Sequence, residues 1–272
     1  MRKIAFLSLV ASCLLANPIN AITREEGSGT RSVFVELFDI SKEIKGKKVD
    51  NISPKIAVTN STGVVITSVK NDKFALGYIS LGALNEDLKA LNIDNVKPNI
   101  ENIKNNSYKI SRDFNLAIIK QSDLINDFFE YLKSNEANKI ISDLKYIPLE
   151  SKEFKSKQLS GELIIQGSSS ISALMQKLAN AYMQINKNAK IKVLTSDSSM
   201  GISSIINNIA DIAMVSRDLK QSELEKGLKS MVLAKDAIVI IVNKENPLNN
   251  LSSKNIKDIY EGKIINYKDL SE

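Results

Sequence analysis

The chain has 272 residues, 43% hydrophobic and 25% charged, which suits one large domain or two lobes with their own cores. Its formal charge of +6 is mild and interspersed, without the concentrated basic face that nucleic-acid binding requires. With no His, no Trp and one Cys, it lacks Ser-His and Cys-His nucleophile systems, His metal sites, a common stacking platform and any internal disulfide.

The chain opens as a secretory signal would. Arg2 and Lys3 are basic, Ile4 to Ala16 is largely apolar, and small residues lead to Asn20-Ala21. The apolar run is too short to span a bilayer. This predicts a signal peptide over 1–21, with cleavage after Ala21. An alternative boundary lies at Val10-Ala11-Ser12-Cys13, which resembles a bacterial lipobox and would make Cys13 the lipid-anchored first residue. Both readings place the protein outside the cytoplasm, in the periplasm or on the outer face of the cytoplasmic membrane.

Helices are predicted over Ser32 to Ile44 and Thr62 to Val69, and a buried strand over Phe74 to Leu81. A strand over Asn115 to Ile119 and helices over Leu124 to Ser134 and Glu136 to Leu144 follow. Pro148 to Ser160 is polar and Lys/Ser/Glu-rich, as a solvated linker is. The pattern then restarts: strand Glu162 to Gln166, turn Gly167 to Ser170, amphipathic helix Ser172 to Ile185 and strand Lys190 to Leu194. Helix Ser198 to Ile209 and strand Asp211 to Val215 come next. Ala237 to Val242 is almost continuously apolar, as a strand covered on both faces would be, and Ser253 to Tyr260 reads as a short helix. Such alternation implies an α/β architecture with mostly parallel strands. Gly63 to Leu81 and Gly201 to Val215 share a helix, turn, strand layout, which suggests two related lobes.

Three helix-opening turns carry the chemistry: Arg24-Glu25-Glu26-Gly27-Ser28-Gly29-Thr30-Arg31, Gly167-Ser168-Ser169-Ser170 and Asp197-Ser198-Ser199-Met200-Gly201. A helix N-terminus offers unpaired N–H groups and partial positive charge, so it favours anions. Ser and Thr add small hydroxyls that donate or accept, and Arg24 adds a planar, permanent cation. Each Ser also fits as an ordinary N-cap. Glu26 is placed to pair with Arg24 or to accept a proton from a ligand. There is no nucleotide-binding glycine motif, no nucleophile elbow and no carboxylate cluster with calcium-loop spacing. The residues therefore favour an anion-binding protein with no cofactor, no metal and no catalytic residue over an enzyme such as a secreted phosphatase.

Ordered motifs across almost the whole chain resemble the periplasmic phosphate-binding proteins of high-affinity phosphate ABC transporters. Ile164 to Leu270 is similar to that family's first half through GSSSISALMQKLA, SSMGISSIINNIADIAMVSRDL, AIVIIVNKENPL and IYEGKIINYKDL. Ile22 to Leu149 is similar to its second half through TREEGSGTRSVF, NSTGVVITSV, ALGYISLGAL and ANKIISDLKYIPL. The halves stand in reversed order, as in a circular permutation with the old termini joined by Pro148 to Ser160.

The resemblance implies an α/β, two-lobed periplasmic-binding-protein fold with a hinge, circularly permuted. One lobe would comprise 22–112 plus 238–272 and the other 113–237, with hinge motion near Arg112 to Leu116 and Lys235 to Val239. It implies inorganic phosphate as ligand, the membrane permease subunits of an ABC transporter as partners, and a monomer. Ser169, Ser170 (mainly through its backbone N–H), Ser198, Arg24, Ser28, Gly29 and Thr30 match the family's ligand-binding positions. Ser216 stands where some members carry an Asp acceptor, and Arg217 follows it. Other oxyanions (sulfate, molybdate, tungstate) and a permuted chain with impaired binding remain alternatives. Cleavage after Ala21 would make Arg24 the third residue of the mature chain, where it would fray.

Overall fold

The structure is a computed structural model that describes residues 17–270. Arg2, Lys3 and Cys13, on which the expected export signal and the expected lipid attachment rest, lie outside the described residues.

In chain order the first stretch contains β1 (Asn20–Arg24), α1 (Gly29–Leu37), β2 (Ser41–Ile44), β3 (Lys47–Asp50), β4 (Ala57–Thr59), α2 (Thr62–Asn71), β5 (Ala75–Ser80), β6 (Leu88–Ala90), β7 (Asn92–Ile93) and α3 (Ile100–Lys104). The middle contains β8 (Ser111–Ile118), α4 (Asp123–Leu132), α5 (Asn135–Asp143), β9 (Gly161–Ser168), α6 (Ser169–Ile185), β10 (Ala189–Ser196), α7 (Ser198–Ile206), β11 (Ile212–Val215) and α8 (Gln221–Leu224). β12 (Lys229–Asn243), β13 (Asn250–Leu251) and α9 (Ser253–Tyr260) close it.

Nine strands form one sheet in the order β10-β9-β11-β8-β12-β5-β1-β4, with β6 also on β12. The sheet is mixed, which corrects the expectation of mostly parallel strands. Outer pairs such as β1–β5 and β9–β10 are parallel, whereas β12 runs antiparallel to both β8 and β5. The reason is that β8 and β12 run between two separately packed halves. β12 pairs with β8 over Lys229–Ala237 and with β5 over Ile238–Val242. One apolar core draws on residues 19–110 and 237–267, the other on residues 114–234.

Several local expectations shift. Residues 32–44 are not one helix: α1 starts at Gly29 and is capped at Phe38. Asp39 then takes φ +49°, and a turn at Lys45 (φ +51°) and Gly46 (φ +74°) folds β2 back on β3 as a hairpin. β9 runs through Ser168 straight into α6, with no separate turn over 167–170. The Pro148 to Ser160 segment contains no helix or strand, as expected, but it is more than solvated chain. Phe154 packs edge-on against Tyr131, and buried Asp127 accepts from Ser156 Oγ and Lys157 N.

The start of the described chain is part of the fold. β1 lies inside the sheet, between β4 and β5, where Asn20 and Ala21 pair with Ala75 and Leu76. Ile19 N donates to Ile265 O at 2.8 Å, and Ile19, Ala21 and Ile22 belong to the apolar core. Residues 18–21 therefore belong to the fold of the chain as described, and cleavage after Ala21 would cut β1 in two. With β1 whole, Arg24 is 2% exposed at the strand's end.

Candidate functional site: four helix N-termini at the seam between the lobes

An aromatic floor sets Arg24. Phe34 of α1 stacks on Tyr78 of β5 with centroids 3.9 Å apart, and Tyr260 of α9 meets both edge-on. The Tyr78 hydroxyl lies 2.7 Å from Thr23 Oγ1 and accepts from Arg24 N at 3.3 Å. Burial pushes the Tyr78 phenol up to about 12, so it stays a neutral hydrogen-bonding group. The Arg24 guanidinium is held by Glu25, through Nε to Oε2 at 2.8 Å and Nη2 to Oε1 at 2.6 Å. Glu25 thus takes the role that the sequence offered to Glu26, which is exposed.

Helix starts converge in front of Arg24. α1 brings Gly29 and Thr30, α2 brings Thr62, α6 brings Ser169 and Ser170, and α7 brings Ser198. The first two helices belong to one core and the last two to the other. Thr30 Oγ1 lies 2.9 Å from Ser170 Oγ, and Thr62 Oγ1 lies 3.2 Å from Ser170 Oγ and 3.3 Å from Ser169 Oγ. Arg24 Nη2 and Thr62 N both donate to Ser169 Oγ at 3.2 Å. Ser198 Oγ accepts from Ser216 N at 3.1 Å and lies 3.3 Å from Ser216 Oγ. Gly29 packs directly on this pair: a Cβ there would stand 2.5 Å from Ser198 Oγ and 2.7 Å from Ser216 Oγ. Gly167 has φ +143°, and a Cβ would meet Met214 O at 2.3 Å, so only glycine lets β9 deliver Ser169 and Ser170 here.

The structure thus brings Arg24, Gly29, Thr30, Ser169, Ser170, Ser198 and Ser216 together. Ser28 is buried nearby as the α1 N-cap, its hydroxyl accepting from Arg31 N at 3.3 Å. The Ser170 N–H is already given to Ser168 Oγ at 3.3 Å, so Ser170 meets the other lobe through its hydroxyl rather than its amide. Arg217 points away, its fork clasping Glu223 with two bonds of 2.8 Å. Burial works against Glu223 ionising, but this clasp and the Lys220 N–H keep its carboxyl below the usual range.

Two residues at the seam escaped the sequence reading. Thr62 sits in the NSTG turn, quoted above only for its resemblance. Arg112 sits on β8 and donates from Nη1 to Thr30 Oγ1 at 2.7 Å and to Ser216 O at 3.2 Å. Asp236 on β12 pairs with Arg112 at 3.0 Å and accepts from Ser80 Oγ at 2.8 Å. Burial disfavours both charges, lowering Arg112 and raising Asp236, and the pair's mutual attraction opposes both shifts.

The chemistry of this arrangement is anion binding. Both buried guanidiniums have carboxylate partners, so the side chains balance. The four helix ends remain, each equivalent to roughly half a positive charge. The oxygens of Thr30, Thr62, Ser169 and Ser198 each accept from an Arg or backbone N–H. Their own protons can be donated, here within the cluster and, with an anion at the seam, to it. Among the described residues, no group of three or more His, Cys, Asp or Glu could hold a metal ion.

A model of the PBP superfamily domain matches residues 13–136 and 153–271. The phosphate-binding protein PstS 2 of Streptococcus agalactiae is 45% identical over 258 residues, covering 93% of this chain and 88% of its own. The chain belongs to the PstS family. The crystal structure of a phosphate-binding protein of a phosphate ABC transporter from Streptococcus pneumoniae matches at 36% identity and a TM-score of 0.74. It covers 94% of this chain and 100% of that one. The phosphate-binding protein PstS of Borreliella burgdorferi is 36% identical over 104 residues, 38% of this chain and 37% of its own. The two-lobed α/β architecture is thus the family's.

Proposed function

We propose that this protein captures inorganic phosphate between its lobes and delivers it to the permease of an ABC importer. The observation that carries this is the meeting of four helix N-termini and Arg24 at the seam between two cores. Closing the lobes replaces an anion's water by donors from both sides. Hydrogen bonds to a charged group contribute roughly 1.5–3 kcal/mol each, so a few suffice for micromolar binding, about −8 kcal/mol, after ordering costs. Such a site binds and releases its ligand unchanged, without catalytic residues or a cofactor. Titration calorimetry with phosphate tests the proposal: saturable heat is expected, and its absence with a folded protein would sink it.

A second reading, a receptor for another tetrahedral oxyanion, is favoured by one feature. Glu25 is committed to Arg24 and Asp236 to Arg112 and Ser80, so Ser216 offers a hydroxyl rather than a carboxylate to a ligand proton. Competition between phosphate and sulfate, molybdate or tungstate separates the readings.

Our reading of the chain's organisation follows from the same features. The lobes meet near 112/113 and 237/238, where the two cores part, and the hinge lies on β8 and β12 beside Arg112 and Asp236. A reversed order of halves fits the partial match to the Borreliella protein, since a collinear comparison reaches only one half at a time. The export signal ends upstream of Asn17, because β1 needs the residues that follow. Processing at Cys13 satisfies that requirement and leaves a lipid-anchored monomer on the outer face of the membrane.

A further inference from the structure

Arg112 lies on β8, where that strand crosses between the lobes, and its side chain is 2% exposed. It touches the seam from both sides, through the Thr30 hydroxyl of one lobe and the Ser216 carbonyl of the other. Its Nε donates to Asp236 Oδ2 at 3.0 Å, and its carbon centre lies 4.9 Å from the Phe114 ring centroid. The carboxylate and the ring fix the guanidinium, while its Nη2, 3.0 Å from Asp236, makes no aligned hydrogen bond.

A guanidinium only donates. Thr30 Oγ1 therefore accepts a hydrogen bond from Arg112, which leaves the Thr30 hydroxyl proton to be turned toward another neighbour. In this structure its neighbour is Ser170 Oγ, across the seam at 2.9 Å. With an anion between the lobes, that same proton faces the anion. In this structure Arg112 reaches Thr30 of one lobe and Ser216 of the other from a single guanidinium nitrogen. A charge-assisted bond of this kind is short and well directed, which suits an orienting role.

We infer that Arg112 is a positioning residue of the anion site, orienting the Thr30 hydroxyl as a donor and joining both lobes in the closed state. This rests on the phosphate reading above. Arg112 acts through Thr30 and Ser216 and is separate from Arg24, which faces Ser169 directly.

The test is a double-mutant cycle on the purified exported protein, with phosphate as the probe. The set is wild type, Arg112→Met, Arg112→Lys, Thr30→Val and Arg112→Met/Thr30→Val, each with Kd, dissociation rate and thermal unfolding measured. Arg112→Met is expected to raise Kd at least tenfold, mainly through faster dissociation. Arg112→Lys, which keeps a donor, should recover part of that loss. Thr30→Val should weaken binding severalfold in wild type and change little in the Arg112→Met background. A merely structural role for Arg112 would lower the unfolding temperature while leaving the two effects additive. Additive effects, or an Arg112→Met variant within twofold of wild type, would overturn the inference. Should Arg112→Met fail to fold, Arg112→Lys and Thr30→Val complete the cycle, with additivity again the contrary result. Absence of phosphate binding by wild type would instead sink the phosphate reading, and this inference with it.

Discussion

Arg24 is held where an anion can use it. Its Nη2 shares itself between Glu25 and Ser169, and its Nη1 donates to Thr62 Oγ1 at 3.3 Å. Replacing it by Met removes a charged donor but leaves Glu25 with a route to water, since that side chain is 21% exposed. Arg24→Met should therefore weaken phosphate binding by about 10- to 100-fold, the worth of about one charged hydrogen bond, with little change in unfolding temperature. Calorimetry and a thermal melt read the two effects separately. Gly29→Ala has a different expected signature. The added Cβ collides with Ser198 and Ser216 of the opposite lobe rather than with its own core. Each lobe should fold, closure should be blocked, and phosphate affinity should fall at least tenfold at near-native stability. Wild-type affinity in this variant would mean that the seam is not the binding surface.

At the scale of elements, β1 bears on where the mature protein can begin. Ile19 and Ala21 sit in the core, Ile19 N donates to Ile265 O, and Asn17 O accepts from Tyr267 N. A chain starting at Ile22 loses those ladder bonds and at least one buried Ile, worth about 1.5–3 kcal/mol. It should melt well below a chain starting at Asn17, and equal melting temperatures would contradict the assignment of β1. Here the sequence is ambiguous for a physical reason. Ile19 to Thr23 is short and apolar, and follows an apolar run, so it reads equally well as the end of a signal or as an edge of the core. The helix-opening turns were legible because N-capping is local: Ser28, Ser168 and Asp197 each cap from within their own turn. Thr62 and Arg112 were not. Thr62 opens an ordinary capped helix and Arg112 is one cation on a strand. Only the packing of one lobe on the other brings them to Ser169, Ser170 and Thr30. The break at Asp39 was missed because a positive φ at a non-glycine residue leaves little trace in hydrophobic periodicity.

Across the whole molecule, the seven tyrosines share one property. Tyr78, Tyr108, Tyr131, Tyr146, Tyr182, Tyr260 and Tyr267 all have phenols raised above their ordinary value, burial being the leading cause for each. A raised phenol stabilises the fold fully below pH 10, and that contribution is lost as pH rises through the folded value, about 12 for Tyr78. The loss for Tyr78 alone is about 3 kcal/mol at most. Ultraviolet titration should show no tyrosinate near pH 10, then a single step in which ionisation and unfolding coincide. Gradual ionisation centred on pH 10 with the fold intact would contradict the packing of both cores.

Between those cores, the seam gathers Arg24, Arg112 and the helix-opening hydroxyls. A crystal structure of the phosphate-loaded protein tests this most directly. The account predicts one phosphate between the lobes, within hydrogen-bond distance of Arg24, Thr30, Ser169, Ser170 and Ser198, with Arg112 on Thr30 behind it. Phosphate bound elsewhere, or a phosphate-saturated protein whose seam holds no anion, would contradict it.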